Sequence, residues 1–473
     1  MDCERAKGQG VAGQYLEYDL IVIGSGPAGQ KAALAAARQR RRVALIDRRQ
    51  LLGGACLHTG TIPSKTLREA VLYFTGHPLH SVYGASYRLK DRITMEDLTF
   101  RVQHVIRQEL DTIAAQMRHN SVDVYYGTAC FESPHTVIVE SAYITTRLRG
   151  EKFVIAVGSK PARPPHIPFT PGRIFDSDGI LQLPTIPRSM VVVGAGIVGC
   201  EYGSIFATLG TEVTLIDCHT TLLDFVDREI IDALTYHLRT ENVTLRLAEE
   251  VHTVFIDERD RIVTELKSGK RLLAETLLFA IGRQGATDDL NLAAAGLDTD
   301  ERNRLQVNST YQTAVEHIYA AGDVIGFPAL AATSMEQGRI AASHALGLPC
   351  VTFSELAPFA IWTIPEISMV GDTEERLTAM HVPYESGSAH YRDVAKGLIV
   401  GDEIGMLKLL FHHESRQVLG VHAIGTRAAE IIHIGQAVMT CNSTIDYFVN
   451  TVFNYPTLAE AYKIAALDGL NKL

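Results

Sequence analysis

The stretch Tyr18-Asp19-Leu20-Ile21-Val22-Ile23-Gly24-Ser25-Gly26-Pro27-Ala28-Gly29 begins as a short apolar strand and breaks into a Gly-rich turn. An Ala-rich helix is expected from there to about Arg40, and a second strand, Val43 to Ile46, ends on Asp47. Strand, turn, helix, strand and terminal acid together make the full context of a dinucleotide-binding fingerprint. Gly24 makes the tight turn, Gly26 lets the backbone approach a pyrophosphate, and Gly29 allows close helix–strand packing. The helix start offers N–H groups and the positive end of its dipole to phosphate. Asp47 is suited to accept hydrogen bonds from ribose hydroxyls.

The pattern recurs further on. Met190 to Val193 reads as a strand, Gly194-Ala195-Gly196-Ile197-Val198-Gly199 as the turn, and the helix runs through Glu201 to Thr208. Strand Val213 to Ile216 ends on Asp217, which lies 18 residues past Gly199, as Asp47 lies 18 past Gly29. Two fingerprints in register predict two Rossmann-like dinucleotide sites. Past Asp217 come Cys218, His219, Thr220 and Thr221, with no arginine before Arg228. A carboxylate repels a 2′-phosphate, so this second site favours NAD(H) over NADP(H).

A chain of 473 residues has room for roughly three domains. Its net charge of −10 argues against nucleic acid as a partner. No apolar run reaches the roughly 18–20 residues of a membrane span. Residues 1–17 lack the regions of a signal peptide and read as a leader. Seven widely spaced cysteines suggest buried thiols in a reducing, cytoplasmic compartment. No metal site is expected. The arginines around the second strand (Arg38, Arg40, Arg41, Arg42, Arg48, Arg49) read as a solvated face rather than a phosphate site.

Between the fingerprints lies Gly53-Gly54-Ala55-Cys56-Leu57-His58-Thr59-Gly60-Thr61-Ile62-Pro63-Ser64-Lys65: a Gly-rich turn, one thiol, a tight Thr-Gly-Thr connection, and a proline opening a helix. Asp91 to Met117 is expected to form a long amphipathic helix, with Met95, Leu98, Val102, Val105, Ile106 and Leu110 on one face. Pro161 to Pro165 reads as a stiff domain boundary. Ala280 to Arg283 and Ile318 to Val324 are strand-to-turn segments, which makes Gly282, Arg283 and Asp323 further nucleotide-site candidates. From Thr352 the composition shifts to alternating strands, such as Lys408 to Phe411 and Leu419 to His422, and longer helices.

The spacing around Cys56 resembles the active-site helix of flavin-dependent disulfide reductases, in which two cysteines separated by four residues form a redox disulfide. The second position here is Thr61, and a hydroxyl cannot cycle between thiol and disulfide. The chain from about Tyr18 onward resembles the pyridine nucleotide-disulfide oxidoreductases. The resemblance is carried by Gly60 to Lys65, Phe175-Asp176-Ser177-Asp178, Ala429 to Gln436 and Phe448 through Thr457. It implies an α/β fold of two Rossmann-like dinucleotide-binding domains plus a C-terminal α+β dimerisation domain. The expected boundaries are an FAD domain at 18–160, an inserted NAD(P) domain at 161–285, a return to the FAD domain at 286–350, and an interface domain at 351–473 in a homodimer.

The resemblance further implies that Gly24, Gly26, Gly29, Asp47 and Gly54 serve FAD, with Asp323 on its ribitol side. Gly194, Gly196, Gly199, Asp217, Gly282 and Arg283 would serve the nicotinamide nucleotide. Lys65 would approach flavin N5 and pair with Glu201. Tyr455 stands where disulfide reductases carry the acid–base histidine of the partner subunit, with Glu460 as its supporting glutamate. A phenol, with a reference pKa of about 10, is a poor proton shuttle at neutral pH. Thiol partner and thiol base are thus missing together. The activity expected is hydride exchange between nicotinamide nucleotides, NADPH reducing NAD+ in ping-pong fashion through the flavin, with Cys56, Thr61, Lys65, Glu201, Tyr455 and Glu460 at the site. The alternative is an NADH-specific diaphorase passing electrons to quinone, dye or oxygen.

Overall fold

The apolar run Leu20–Ile23 at the end of strand Leu16–Ile23 and the strand Val43–Asp47 are buried at every residue, the signature of a parallel sheet covered by helices. The computed structural model describes residues 15–84, 86–349 and 356–473, and the chain divides into two units.

One unit takes the described residues of 1–64, 100–162 and 282–353. Its main sheet has the order Asp123–Tyr126, Val43–Asp47, Leu16–Ile23, Thr145–Ile155, Thr136–Glu140, Thr128–Ser133, with Ile318–Ala320 also pairing Thr145–Ile155. The central pairings are parallel, and the last three strands form an antiparallel meander. Helix Pro27–Ala37 buries Ala28, Ala32, Ala33 and Ala36. Its small residues let it lie close to helix Ala331–Ala345, where a Cβ on Gly338 would strike the Ala28 backbone.

The other unit takes residues 65–99, 163–281 and 354–473, so far as they are described. It repeats the parallel pattern in a five-stranded sheet of order Thr244–Arg246, Glu212–Ile216, Ser189–Val193, Thr276–Phe279, Ile174–Asp176. An antiparallel three-stranded sheet, Val251–Ile256, Ile262–Leu266 and Arg271–Ala274, accompanies it. The C-terminal portion is a second five-stranded sheet, antiparallel throughout, with helices Ala428–Thr440 and Glu460–Leu470 sharing its core through Val421, Ile432, Ala461 and Tyr462.

Several expectations shift. The first strand begins at Leu16, so the last two residues of the expected 1–17 leader belong to the sheet; residues 1–14 lie outside the described residues. The first helix ends at Ala37 rather than near Arg40, where Arg40 takes a positive φ of 58°. The long helix spans Met95–His119 and starts later than Asp91, because Thr94 and Asp97 exchange hydrogen bonds as a capping box at its start. The thiols are not uniformly buried. Cys200 is buried, Cys218 and Cys441 are exposed, and Cys130 is disulfide-bonded.

Candidate functional site

In the first fingerprint the three glycines divide into two kinds. A Cβ on Gly24 would strike the Ala156 carbonyl and one on Gly29 the Gly24 carbonyl, whereas a Cβ on Gly26 would meet open space. The outer glycines are therefore required by packing, and the middle one leaves its surface open to a ligand. Helix Pro27–Ala37 has no side-chain cap among the described residues, so its first-turn N–H groups remain available to an anion. Asp47 Oδ2 is held by the Ser25 amide at 2.9 Å and the Ser25 hydroxyl at 2.5 Å, which fixes the acid at the end of its strand. The Ser25 hydroxyl also accepts from the Gly53 amide at 3.0 Å, tying the Cys56 segment to the fingerprint. Gly54, with φ 61°, brings its backbone against Gly26.

Cys56 lies in the short helix Gly54–His58 and is half-buried, and Thr61 starts helix Thr61–Thr75. The turn between them is closed by the Gly60 amide donating to the Ala55 carbonyl at 2.7 Å. Within it Thr59 Oγ1 is buried and has no hydrogen-bond partner among the described residues, an orphan that a bound cofactor would satisfy.

Asp323 is buried in the same unit. Burial raises its carboxyl above the usual range, while the Ser159 hydroxyl donating at 2.8 Å and the Arg283 charge oppose that rise. Arg283 Nε donates to Ser159 Oγ at 2.8 Å and its Nη2 to the Ser159 carbonyl at 2.9 Å. Arg283 and Gly282 thus belong to the Asp323 unit, where Ser159 joins the guanidinium to the acid. Together with the open Gly26 surface, the fixed Asp47 and the uncapped helix, Asp323 and Ser159 fit a dinucleotide carrying a polyol.

The second fingerprint repeats the first in detail. A Cβ on Gly194 would strike Ala280 and one on Gly199 would strike Gly194, while Gly196 faces open space. Helix Ile197–Thr208 is likewise without a side-chain cap among the described residues. Asp217 Oδ2 accepts from the Ala195 amide at 2.5 Å. Its Oδ1 accepts the His219 amide at 2.8 Å and meets His219 Nδ1 at 2.6 Å. Burial would raise the Asp217 carboxyl, but the two amides and the imidazole hold it below its ordinary value. His219, hydrogen-bonded to Asp217, is raised in turn.

The helix begun at Thr61 also carries Lys65, whose ammonium donates to both carboxylate oxygens of Glu201, at 2.9 Å and 2.7 Å. The Glu201 side chain is 5% exposed and that of Lys65 23%. Glu201 Oε1 takes a third hydrogen bond from the Trp362 amide at 2.8 Å, and Ser204 Oγ accepts from the Ile364 amide at 3.1 Å. Arg68 donates to the Thr363 carbonyl at 3.0 Å and pairs with Glu366 at 3.4 Å. The pair is therefore held from helix and loop together and presents a partly exposed cation.

Tyr455 is 74% exposed, and Glu460, which opens helix Glu460–Leu470, keeps Oε2 buried without a partner among the described residues. No hydrogen bond joins the two within the chain among those described. Sequence reasoning missed the supporting residues Ser25, Ser159, His219 and Trp362. Ser25 lies inside the first glycine fingerprint, and His219 stands two residues past Asp217; the Trp362 contribution is a backbone amide, which no side-chain pattern reports.

A family model for pyridine nucleotide-disulphide oxidoreductases matches residues 18–338, and one for the dimerisation domain of the same group matches 357–466. A soluble pyridine nucleotide transhydrogenase of Mycobacterium bovis is 54% identical over 459 residues, covering 97% of this chain and 98% of that one. Its counterpart in Shigella boydii is 47% identical over 466 residues, at 97% and 99% coverage. Among solved structures, the Cu(II) complex of the HOCl-induced flavoprotein disulfide reductase RclA from Escherichia coli aligns with a TM-score of 0.87 and 26% identity, over 96% of this chain and 99% of that one. LpdA from Mycobacterium tuberculosis aligns with a TM-score of 0.87 and 25% identity, over 95% and 99%.

Proposed function

The chain belongs to the pyridine nucleotide-disulphide oxidoreductase family, and from that premise we propose that it is an FAD enzyme moving hydride from NADPH to NAD+. The observation that carries this reading is the pairing of Lys65 with Glu201 on a helix whose first residue is Thr61 instead of a second cysteine. The chain keeps a charge device suited to a flavin and lacks the means to pass electrons onward to a disulfide.

When bound, FAD supplies a two-electron carrier that accepts hydride from one nicotinamide and yields it to another. The Gly24–Gly29 turn and Asp47 hold its pyrophosphate and adenosine, and Asp323 its polyol. Lys65 keeps a positive charge available to stabilise reduced flavin; Glu201 orients that ammonium and limits its net charge. Gly194, Gly196 and Gly199 take the nicotinamide nucleotide in turn, donor first and acceptor after it. Asp217 receives the adenosine ribose, with His219 covering its charge when a 2′-phosphate is present. The dimerisation-domain match at 357–466 supports a homodimer, with Tyr455 and Glu460 contributed across it.

Anaerobic transfer from NADPH to thio-NAD+, with NADH as parallel donor, tests the reading. Transfer from both donors is expected. Transfer from NADH alone would overturn the NADPH-linked assignment.

A further inference from the structure

Helix Arg228–Thr240 and its C-terminal cap carry His237 and Glu241 at i and i+4, on one face. His77, at the start of the short turn His77–Leu79, meets them. Each of the three side chains offers one donor atom, and these atoms lie within 4.8 Å of one another. His77 Nε2 stands 3.7 Å from Glu241 Oε1, and the rings of His77 and His237 meet edge to face with centroids 6.1 Å apart. His237 is 3% exposed, and its Nε2 is buried with no hydrogen-bond partner among the described residues. A native fold seldom leaves a buried ring nitrogen unpaired without a water or an ion to satisfy it. None of these residues takes part in the nucleotide sites or in the Lys65–Glu201 pair.

We propose that His77, His237 and Glu241 form a Zn2+ site. Two imidazoles and a carboxylate are a known zinc ligand set, with water completing the tetrahedron. Burial holds His237 below the ordinary imidazole value, keeping it in the neutral form that donates a lone pair. The His77 imidazole beside it, 3.7 Å away, holds the Glu241 carboxyl below its usual range. Donors about 2.1 Å from a tetrahedral Zn2+ sit roughly 3.4 Å apart. The three side chains must therefore draw together slightly, and the two that are not fully buried, His77 and Glu241, have room to turn. His80 is not counted among the ligands, because its Nε2 faces the carbonyls of Thr75 at 3.1 Å and Tyr87 at 3.0 Å. Bound metal would clamp the turn that ends helix Thr61–Thr75 onto helix Arg228–Thr240.

The test uses full-length holoprotein, stripped with a chelator, titrated with Zn2+ by calorimetry and assayed for metal after dialysis. One Zn2+ per chain and a raised melting temperature are expected. Both should be lost in His77→Ala and in Glu241→Gln, with NADH to thio-NAD+ transfer unchanged in each. Cys218→Ser, in the Asp217–Cys218–His219 group, serves as the control and should keep the stoichiometry. Should either ligand variant misfold, Co2+ loaded into the unaltered protein must give the strong visible bands of a tetrahedral site. Failure to retain Zn2+, the same stoichiometry in His77→Ala, or octahedral Co2+ spectra would overturn the site.

Discussion

Lys65 Nζ and Glu201 form a two-pronged contact, 2.9 Å to Oε1 and 2.7 Å to Oε2, with the Trp362 amide 2.8 Å from Oε1. Because the carboxylate is nearly buried and triply hydrogen-bonded, it acts as a fixed dipole end for the ammonium and not as a wandering surface charge. On the proposed reading, Lys65→Met would take away the charge that stabilises reduced flavin. Its rate of anaerobic flavin bleaching by NADH, followed by stopped flow, should fall by roughly 10²–10³-fold, the usual cost of losing one preorganised electrostatic group. Glu201→Gln should cost less and raise the flavin reduction potential, since Lys65 then keeps its full charge. An unchanged bleaching rate in Lys65→Met would remove this residue from the mechanism.

Thr61→Cys tests whether a missing thiol is what separates this chain from a disulfide reductase. Cys56 and Thr61 flank the turn closed by Gly60 and Ala55. If the introduced sulfur meets that of Cys56, dithionite titration of the variant should consume one additional two-electron equivalent, as the disulfide between them takes two electrons and two protons to give two thiols. Turnover with small disulfide substrates should nevertheless stay negligible, because position 455 carries a tyrosine where the disulfide reductases it resembles carry the acid–base histidine. Fast disulfide turnover would mean that Tyr455 is not limiting.

Much of this arrangement was legible in the residues. Two fingerprints with acids at the same offset announced two parallel sheets, because each glycine answers a separate steric demand that Gly24, Gly29, Gly194 and Gly199 all meet. The segment around Lys65 and Glu201 was legible only by resemblance, since 136 residues separate partners that no local period connects. Ser159 and the Trp362 amide stayed hidden for the same reason, 164 and 161 residues from their partners, whereas His219 stands only two residues past Asp217 and lay within reach of a local pattern. The bonds from Arg283 to Ser159 were equally out of reach of a sequence pattern, because 124 residues separate the two and the chain returns to the Asp323 unit only at Gly282.

Lys408 makes a stability prediction away from the chemistry. Its side chain is 3% exposed and its ammonium reaches Asp227 at 2.9 Å, Glu229 at 3.0 Å and Glu374 at 2.8 Å. Burial would lower the Lys408 pKa, but these carboxylates outweigh it and hold the group charged. Lys408→Met leaves Asp227, which is fully buried, without its cation and should cost about 3–5 kcal/mol. Urea denaturation read by C-terminal proteolysis should show this loss, and adding Asp227→Asn should return part of it. Equal midpoints for the unaltered protein and Lys408→Met would show that the cluster is not stabilising.

His219 should give the proposed nucleotide site at Asp217 a pH-dependent preference between nucleotides. Its imidazole is 2.6 Å from Asp217, and Asp224 adds a second negative neighbour; around Asp217 and Cys218 stand Arg246, Glu249 and Glu250, with Lys270 paired to Glu249 and Lys267 to Glu250. The Asp217 hydrogen bond, then its charge, raises the His219 pKa above the ordinary imidazole value of about 6.5. Below that raised pKa the imidazolium offsets the Asp217 charge and offers a cation to a 2′-phosphate; as pH climbs through it, the carboxylate is left uncovered. The ratio of kcat/KM for NADPH to that for NADH should therefore fall with rising pH, most steeply above the ordinary imidazole value. In His219→Ala the ratio should be low and flat, and in Asp217→Asn it should be raised at every pH. A sloping profile that survives His219→Ala would assign the titration to another group. Because only the ratio is compared, a general loss of flavin or of folding in either variant cancels.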